Sequence, residues 1–431
     1  MASEIVTVEG HLIDSKSLAA VLDAILSAGG EFRIQEVHIG EAPSDRSMAQ
    51  IEVTAESPAK LEQILDVLSK HGAIWHEPED AEIEIADMDG AFPERFHATT
   101  NHQTFVRHGG AWIEVQRQEM DCGILYDAAA GVFRCVPVVH VRKGDRIVCG
   151  DRGVKVIPNH SPRERGVFEF MASDISTEKP KNTIIRSIAA SMKETRDAGE
   201  KILLVGGPAI VHTGAAESVV RLIELGYVNV LFAGNALATH DIEANLFGTS
   251  LGVYLDRNSL ADAGHEHHLR AINTIRRAGG IRQAVEAGII TGGIMHACIR
   301  RNVPFVLAAS VRDDGPLPDV ITDMIQAQDS MRAEIAGVGF ALMVATTLHS
   351  VATGNLLPAT VQSVCVDIHA PAITKLADRG SHQAAGLVTD VEPFFRELVA
   401  EIEALEAPPK PAPVRPRGRS GRGTRKPSPR G

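Results

Sequence analysis

Cysteine is scarce in this chain: only five of the 431 residues are cysteine, and no two of them form a C-x-x-C pair. The five positions are Cys122, Cys135, Cys149, Cys298 and Cys365. This scattered, odd-numbered set argues against a disulfide framework and a zinc ribbon, and it favours a reducing compartment. Aromatic residues make up only 4% of the chain, which disfavours a surface that stacks RNA bases.

Long apolar runs are missing as well. No stretch approaches the roughly 18 uncharged apolar residues of a membrane span, and the opening MASEIVTVEG lacks the basic flank and apolar run of a signal peptide. We therefore expect a cytoplasmic protein without a membrane-spanning segment. A content of 44% hydrophobic and 23% charged residues instead indicates a globular protein with a sizeable core. At roughly 100–200 residues per domain, the length predicts two or three domains.

The formal net charge of −12 is unevenly distributed. Residues 408–431 carry eight Lys or Arg and no acid, so the chain before them is more acidic than the total suggests. Because phosphate backbones repel an acidic surface, we expect no nucleic-acid binding by the folded body. The Pro-, Gly- and Arg-rich tail is predicted to be disordered. It either contacts RNA or an acidic partner, or it is a solvated extension.

Residues 1–90 are predicted to form a small α+β domain. The segments EIVTVEG, EFRIQEVHIG and MAQIEVTA are typical of strands, and SKSLAAVLDAILSAGG and SPAKLEQILDVLSKHGA are typical of amphipathic helices. Their order along the chain predicts the split βαβ arrangement. The segment contains no phosphate loop, metal cluster or paired acids, so we expect a regulatory, oligomerising or scaffold role.

Residues 91–180 contain short β-like runs separated by Gly, Asp and Pro turns, which predicts a small β-rich domain. Small polar, His and Arg residues are frequent in its first half. Asn101, Arg107 and Asp121 could hold an amino acid there, because Arg suits a carboxylate and Asp suits an ammonium group. Ordinary turn chemistry explains the same residues equally well.

Residues 181–407 repeat one theme: a near-continuous apolar strand ends in small residues or Asn/Asp, and a helix follows. The strands are KILLV, VNVLFA, PFVLAAS, GFALMVA and VCVDI. This pattern is typical of the parallel sheet of a Rossmann-like α/β domain, in which ligands bind beyond the carboxyl ends of the strands. The glycine-rich GGPAIVHTGA after KILLV is not a G-x-G-x-x-G fingerprint, so it is a weak signal by itself.

Polar residues lie at the ends of four strands in this region. Gly234–Ala236 and Thr346–His349 open helices, where free backbone N–H groups favour phosphate. Asp367 could accept the hydroxyl protons of a ribose, and Asp390 ends a later strand. Both carboxylates could instead be N-caps of the following helices, which is the commoner role of Asp at such positions. The four strand ends together favour a nucleotide site.

Three other features have competing interpretations. The charged segment Arg312–Asp319 either lines the ligand cleft or is a surface loop. The cluster Gly264–His268 resembles a metal box, but no second group of ligands accompanies it, so we expect no metal. Cys122 and Cys365 are expected to be small core residues rather than nucleophiles.

Nine segments of the chain share a pattern with a known family. They are FHATTNH, MDCGILYD, VRKGDRIVCG, FEFMASDISTEKP, FAGNALATHDIEANLFGTSLG, HLRAINTIRRAGG, RDDGPLPDVITD, ATTLHSVATGNLLPA and VCVDIHAP. Together they resemble the ornithine cyclodeaminase family, first named for a region shared with plant lysine-ketoglutarate reductase/saccharopine dehydrogenase. The resemblance covers roughly residues 4–405, and its long GNALATHDIEANLFGTS block is specific.

The resemblance implies a deoxyhypusine-synthase-like Rossmann domain that binds NAD, which would account for the missing fingerprint. It implies conversion of L-ornithine to L-proline and ammonia, and thus a role in proline biosynthesis. In that reaction a hydride leaves Cα for NAD, the side-chain amine closes the ring, ammonia departs, and the hydride returns. A homo-oligomer, either a dimer or a tetramer, is also implied. The lysine on which deoxyhypusine synthase relies has no matching motif in this chain.

The family's site residues can be carried over position by position. The NAD contacts would fall on Asn235, Ala236, Asp314, Thr346, Thr347, Leu348, His349, Asp367, Asp390 and Val391. Asp367 is predicted to hold the ribose, and Asn235 with Ala236 a phosphate or the nicotinamide. Asp121 is the predicted catalytic base and Asn101 a predicted substrate contact. Two other functions stay open: another NAD-dependent amino-acid or saccharopine-type dehydrogenase, and a non-catalytic nucleotide or amino-acid sensor.

Overall fold

A computed structural model gives the architecture of the chain. It describes residues 2–10, 12, 17–40, 47–69, 73–74, 79–157, 181–255, 259, 261, 264–313, 315–371 and 384–407. Asp314, the motif FEFMASDISTEKP and the basic tail at 408–431 lie outside the described residues. No described helix is both long and apolar enough to cross a bilayer.

The first sheet has the strand order β2-β3-β1-β4, and two helices pack on it. Its elements are β1 (Ala2–Gly10), α1 (Ser17–Ser27), β2 (Glu31–His38), β3 (Ser47–Ala55), α2 (Pro58–Ser69) and β4 (Ala73–Ile74). Alternate residues of β3 are buried, as expected for a strand with one face on a core. The predicted split βαβ arrangement is confirmed.

The second sheet has seven strands in the order β11-β6-β7-β9-β8-β10-β5, and nearly all pairs are antiparallel. The strands are β5 (Glu82–Ile85), β6 (Gln103–His108), β7 (Ala111–Gln116), β8 (Gly123–Asp127), β9 (Val132–Val136), β10 (Arg146–Cys149) and β11 (Val154–Ile157). This is the predicted β-rich region. Because β5 pairs with β10, the sheet also uses residues that precede position 91.

The third sheet is entirely parallel and has the order β17-β16-β13-β12-β18-β19-β20. Its strands are β12 (Lys201–Gly206), β13 (Val230–Gly234), β16 (Phe305–Ala308), β17 (Val320–Ile321), β18 (Val338–Val344), β19 (Gln362–Asp367) and β20 (Ala384–Val388). From β12, the next strands in the chain, β13, β16 and β17, are added one after another on one side of β12. The following strand, β18, pairs with the other side of β12. The gap between β12 and β18 is therefore the topological switch point, where doubly wound sheets bind ligands.

Helices cover both faces of this sheet. They are α3 (Lys181–Asp197), α4 (Ala209–His212), α5 (Ala216–Glu224), α6 (Asn235–Phe247), α7 (His267–Ala278), α8 (Ile281–Glu286), α9 (Ile294–Arg301), α10 (Met324–Ile335), α11 (Thr347–Leu356) and α12 (Val391–Glu406). A short hairpin of β14 (Thr249–Ser250) and β15 (Val253–Tyr254) follows α6. Residues of β12 alternate between two core clusters, with Ile202 and Leu204 on one face and Leu203 and Val205 on the other. Burial on both faces explains the near-continuous apolar strands of the sequence.

Candidate active site

Four strands of the parallel sheet end at the same level. Gly206 pairs with both Ala233 and Val344, and Val344 pairs with Val366. The residues that follow, Gly234, Gly207, Ala345 and Asp367, therefore form a row across the carboxyl end of the sheet. With strands about 4.8 Å apart, this edge row is roughly 14 Å long. It runs across the switch point.

Two of the four residues of the edge row, Gly207 and Gly234, are glycine, so the backbone there carries no side chain. A Cβ on Gly207 would overlap the carbonyl group of Ala345, which itself has a left-handed φ of 53°. A Cβ on Gly234 would stand 3.0 Å from the imidazole of His349. Close backbone approach of this kind is what a phosphate-bearing ligand requires. GGPAIVHTGA was a weak signal in sequence because its importance comes from the strand order, which the sequence does not display.

Three helices begin at this edge without a side-chain cap. The N-cap residues of α6, α11 and α12 are Gly234, Thr346 and Asp390, and none of them makes a capping hydrogen bond through its side chain. In contrast, Asp241 accepts from the first N–H groups of α9, and Asp323 caps α10. The first turns of α6, α11 and α12 thus keep N–H groups and a positive helix end for an anion.

Asn235 fixes the neighbouring loop rather than facing the edge freely. Its Oδ1 accepts from the backbone N–H of Leu317 (3.1 Å), and its Nδ2 donates to Asp313 (3.2 Å). This explains part of the charged segment 312–319 as a structural loop. Ala236, the next residue, is partly exposed at the start of α6.

The first turn of α11 places two different side chains at the edge. His349 lies against Gly234 and pairs with Thr346 Oγ1 at 3.3 Å, and burial lowers the pKa of its imidazole. Leu348 is 83% exposed, and Thr347, the first residue of the helix, is half-buried. The turn therefore offers a neutral imidazole, hydroxyl groups and an uncovered apolar side chain.

Carboxylates end the last two strands. Asp367 is 8% exposed, and its Oδ1 accepts from the backbone N–H of His369 (2.8 Å). No Lys or Arg in the described part of the chain forms an ion pair with it. Asp390 is exposed at the start of α12. Val391 packs its side chain in the core, so only its backbone can face the edge.

Asn101 and Asp121 lie elsewhere. Asn101 Nδ2 donates to the carbonyl of Leu357 (2.7 Å), and the N–H of Met120, next to Asp121, donates to Asn355 (3.0 Å). Both acceptors lie at the C-terminal end of α11, about 12 Å along the helix from Thr347. In a single chain the structure therefore does not bring these two residues to the edge row.

Their side chains differ in environment. Asn101 is buried and its Oδ1 has no hydrogen-bond partner, whereas Asp121 is exposed in a left-handed conformation (φ 61°). Arg107 is bound to Asp80 at 3.1 Å, so it is not available for the predicted amino-acid contact without breaking that pair. The roles of Asn101 and Asp121 stay predictions.

The remaining candidates have structural roles. All five cysteines are buried, and burial raises the pKa of Cys365 to about 12 and that of Cys122 further still. Both are therefore core thiols, as expected. In the Gly264–His268 segment, His267 pairs with Thr249 and stacks on Phe247. The described residues contain no group of three His, Cys, Asp or Glu suited to a metal ion.

Three family models together match most of the chain. The LOR/SDH bifunctional enzyme conserved region matches residues 3–102, the first region of the arginine dihydrolase ArgZ-like C-terminal part matches 103–185, and the Rossmann fold of that part matches 186–398. The last of these contains the whole edge row.

Individual proteins give the same result. Ornithine cyclodeaminase from Methanothermobacter thermautotrophicus is 52% identical over 93% of this chain and 98% of its own length. The crystal structure of apo ArgZ, a cyanobacterial arginine dihydrolase, superposes with a TM-score of 0.80 at 36% identity, over 94% of this chain and 59% of that one. The ternary complex of AgrE with ornithine and NAD+ gives a TM-score of 0.50 at 39% identity, over 94% and 58%. Since the likeness to the archaeal enzyme spans nearly its full length, this chain belongs to the ornithine cyclodeaminase family.

Proposed function

We propose that this chain is an NAD-dependent ornithine cyclodeaminase that converts L-ornithine to L-proline and ammonia. The observation that carries the proposal is the edge row, where three uncapped helix ends and a buried carboxylate surround bare glycine backbone at the switch point. Membership in the family supplies the substrate, and the AgrE complex with ornithine and NAD+ shows that a relative holds both molecules.

The residues of the edge row fit NAD. The open first turns of α6 and α11 flank Gly207 and would bind the pyrophosphate through backbone N–H groups. We assign Asp367 to a ribose, because its carboxylate is buried at the end of β19 and faces no described Lys or Arg. Thr346–His349 and Asp390–Val391 complete the set from the same edge. Asp314 belongs to the set by its position in the motif alone.

The chemistry divides between the cofactor and the protein. When bound, NAD takes up a hydride from Cα of ornithine and later returns it to the cyclic imine. The protein has to hold Cα against that acceptor, keep water out, and move one proton. The neutral imidazole of His349 and the partly exposed Ala236 lie beside the switch point, where the reacting carbon would sit.

We further propose a homo-oligomer, a dimer or tetramer, that works in the cytoplasm in proline biosynthesis. Three exposed apolar side chains support the oligomer: Val311, Leu348 and Ile368 each follow the carboxyl end of a parallel strand. A second copy that covers these side chains would close the cleft against water. The predicted base Asp121 and substrate contact Asn101 face the other end of α11 in their own chain.

The proposal is tested by incubating the purified protein with L-ornithine and NAD. We expect proline and ammonia in equal amounts with no net accumulation of NADH, because each turnover returns the hydride. Steady accumulation of NADH with a keto acid would instead identify an amino-acid dehydrogenase. Ligand-induced stabilisation without any product would identify a sensor.

A further inference from the structure

A carboxylate and a histidine form a buried pair on α6. Ala236, His240 and Glu243 are spaced i, i+4 and i+7, so they share one face of this helix. Glu243 is completely buried and His240 is 8% exposed. His240 Nδ1 lies 2.8 Å from Glu243 Oε2. A residue predicted to contact NAD, a histidine and a carboxylate thus follow one another along the helix.

Glu243 is held in its ionised form. Burial pushes the pKa of Glu243 up, but hydrogen bonds from His240, Gly252 and Thr249 outweigh it and keep that pKa below its usual value. Thr249 Oγ1 donates to Oε1 at 2.9 Å, and the Gly252 N–H donates to the same oxygen at 3.0 Å. Because an ionised carboxylate only accepts, His240 carries a proton on Nδ1, and in the neutral imidazole Nε2 is then the acceptor.

A second imidazole stands beside the pair. The ring of His212 lies edge-on to that of His240, with centroids 4.6 Å apart, and its Nδ1 is 2.6 Å from Ser250 Oγ. Burial, with a smaller contribution from His240, lowers the pKa of His212 to about 4, so it is uncharged at neutral pH. His267 of α7 is linked to the group through Thr249. Asp241, on the same helix, turns instead toward the N–H groups of α9.

The two imidazoles lie on helices that follow strands of the edge row. His212 ends α4, which follows Gly207 of the edge row after a single residue, Pro208. His240 is one helical turn, about 6 Å, beyond Ala236. Both helices therefore start on the β12–β13 side of the edge row, whereas Asp121 lies beside the far end of α11.

We propose that Nε2 of His240, oriented by Glu243, is the base that removes a proton from the α-ammonium group of ornithine. This inference rests on the proposed function and supplies the base for it. The proton passes from the α-nitrogen to Nε2, and the hydride then leaves Cα, which gives an iminium ion. The side-chain nitrogen, which enters as the free amine, adds to that carbon; Nε2 gives its proton to the departing nitrogen and takes one from the new ring nitrogen, so that ammonia leaves a cyclic iminium ion. This ion receives the hydride, and the proton on Nε2 passes to the ring nitrogen of proline, so protons and electron pairs balance.

A purely structural role for the cluster makes different predictions. In that case Glu243 serves only to hold the turn at 248–252, and its loss lowers stability without affecting proton transfer. Glu243→Gln separates the two roles. Its carbonyl oxygen can still accept from Gly252, but its amide donates to His240 Nδ1, which moves the imidazole proton to Nε2 and blocks the base.

The first test uses the protein without substrate. Two-bond ¹⁵N–¹H NMR correlations of histidine-labelled protein should show His240 with its proton on Nδ1 in the wild type and on Nε2 in E243Q. This readout does not depend on the identity of the substrate. A wild-type His240 with its proton on Nε2 would overturn the proposal.

The second test is kinetic. Both H240N and E243Q should lower kcat for proline formation about a hundredfold or more, the usual contribution of a general base, with NAD affinity within threefold of wild type. Both should also lose the acidic limb of the kcat pH profile. The matched control is H268N, an exposed histidine on α7, which should retain wild-type rates.

The outcomes are distinguishable. If H240N and E243Q retain the acidic limb and near wild-type kcat, His240 is not the base; if D121N alone removes the limb, Asp121 is. If H240N fails to fold, E243Q decides by the same criteria. Wild-type protein that forms no proline would reject the proposed function instead, and the NMR test would still report on the histidine pair.

Discussion

The carbonyl group of Ala345 lies so close to Gly207 that a β-carbon on Gly207 would overlap it. The two residues follow β12 and β18, the strands that flank the switch point, so the loops on either side of the cleft are in direct contact. Ala345 keeps a left-handed conformation there, which costs an alanine about 1 kcal/mol. The protein thus fixes the backbone at the place where we expect the pyrophosphate.

Substitution of Gly207 should therefore affect stability and cofactor binding together. In Gly207→Ala the new methyl group must push β12 and β18 apart, since its neighbour is backbone rather than a flexible side chain. We expect a lower melting temperature and at least tenfold weaker NAD binding, measured by thermal unfolding and by titration calorimetry. Gly315→Ala is the control for stability, because a Cβ at Gly315 meets nothing within 4 Å. Equal melting temperatures for the two variants would contradict the close approach.

Asp367 tests the ribose assignment. Asp367→Asn keeps an oxygen to accept from the His369 N–H but removes the charge that would accept ribose hydroxyl protons. NAD affinity should fall by more than about 1.5 kcal/mol, or roughly tenfold, the value of a charge-assisted hydrogen bond, with little change in melting temperature. Asp323→Ala is the control. It removes the side-chain cap of α10 and should lower stability by about 1 kcal/mol, but it should keep the wild-type NAD affinity. Unchanged affinity in D367N would return Asp367 to a turn-forming role.

Much of this architecture is foreseeable from the sequence. The parallel sheet follows from apolar runs such as KILLV and GFALMVA, because strands buried on both faces need no alternation. The polar strand ends were found in the same way, since each can be recognised locally. Asn235, Thr346 and Asp367 therefore lie at the edge where the sequence placed them.

The parts that depend on distant pairing were not foreseeable. Nothing local shows that β18 returns to pair with β12, which makes Gly207 central, or that Asn101 docks at the far end of α11. The buried pair on α6 had a visible signal in the i, i+3 spacing of His240 and Glu243. Its meaning required the burial of both side chains, because the same spacing on a solvated helix is an ordinary surface pair.

The pH dependence of stability should reveal the lowered pKa of His212. Its pKa is lowered to about 4 from a model-peptide value of 6.5, mainly by burial, so the unfolded chain binds a proton in a pH range where the folded protein does not. Stability from this residue is present above pH 6.5 and is lost as the pH falls from 6.5 toward 4. The free energy of unfolding can be measured with urea at pH 7 and at pH 5. Its decrease between the two pH values should be about 1 kcal/mol smaller in H212Q than in the wild type. The exposed variant H268Q should show the wild-type loss, and an unchanged loss in H212Q would mean that His212 is protonated in the folded protein.

The contact between the second and third sheets depends on a shielded ion pair. Arg332 of α10 donates to Glu119 at 2.9 Å, and Glu119 is only 5% exposed. Because removal of one partner leaves the other charge buried, E119Q and R332M should each cost about 2 kcal/mol of unfolding free energy. The double variant should cost less than the sum of the two, since neither charge is then stranded. The exposed pair of Glu266 and Arg270 provides the matched control: E266Q should cost less than about 0.5 kcal/mol. Additive losses at Glu119 and Arg332 would show that the two side chains do not interact.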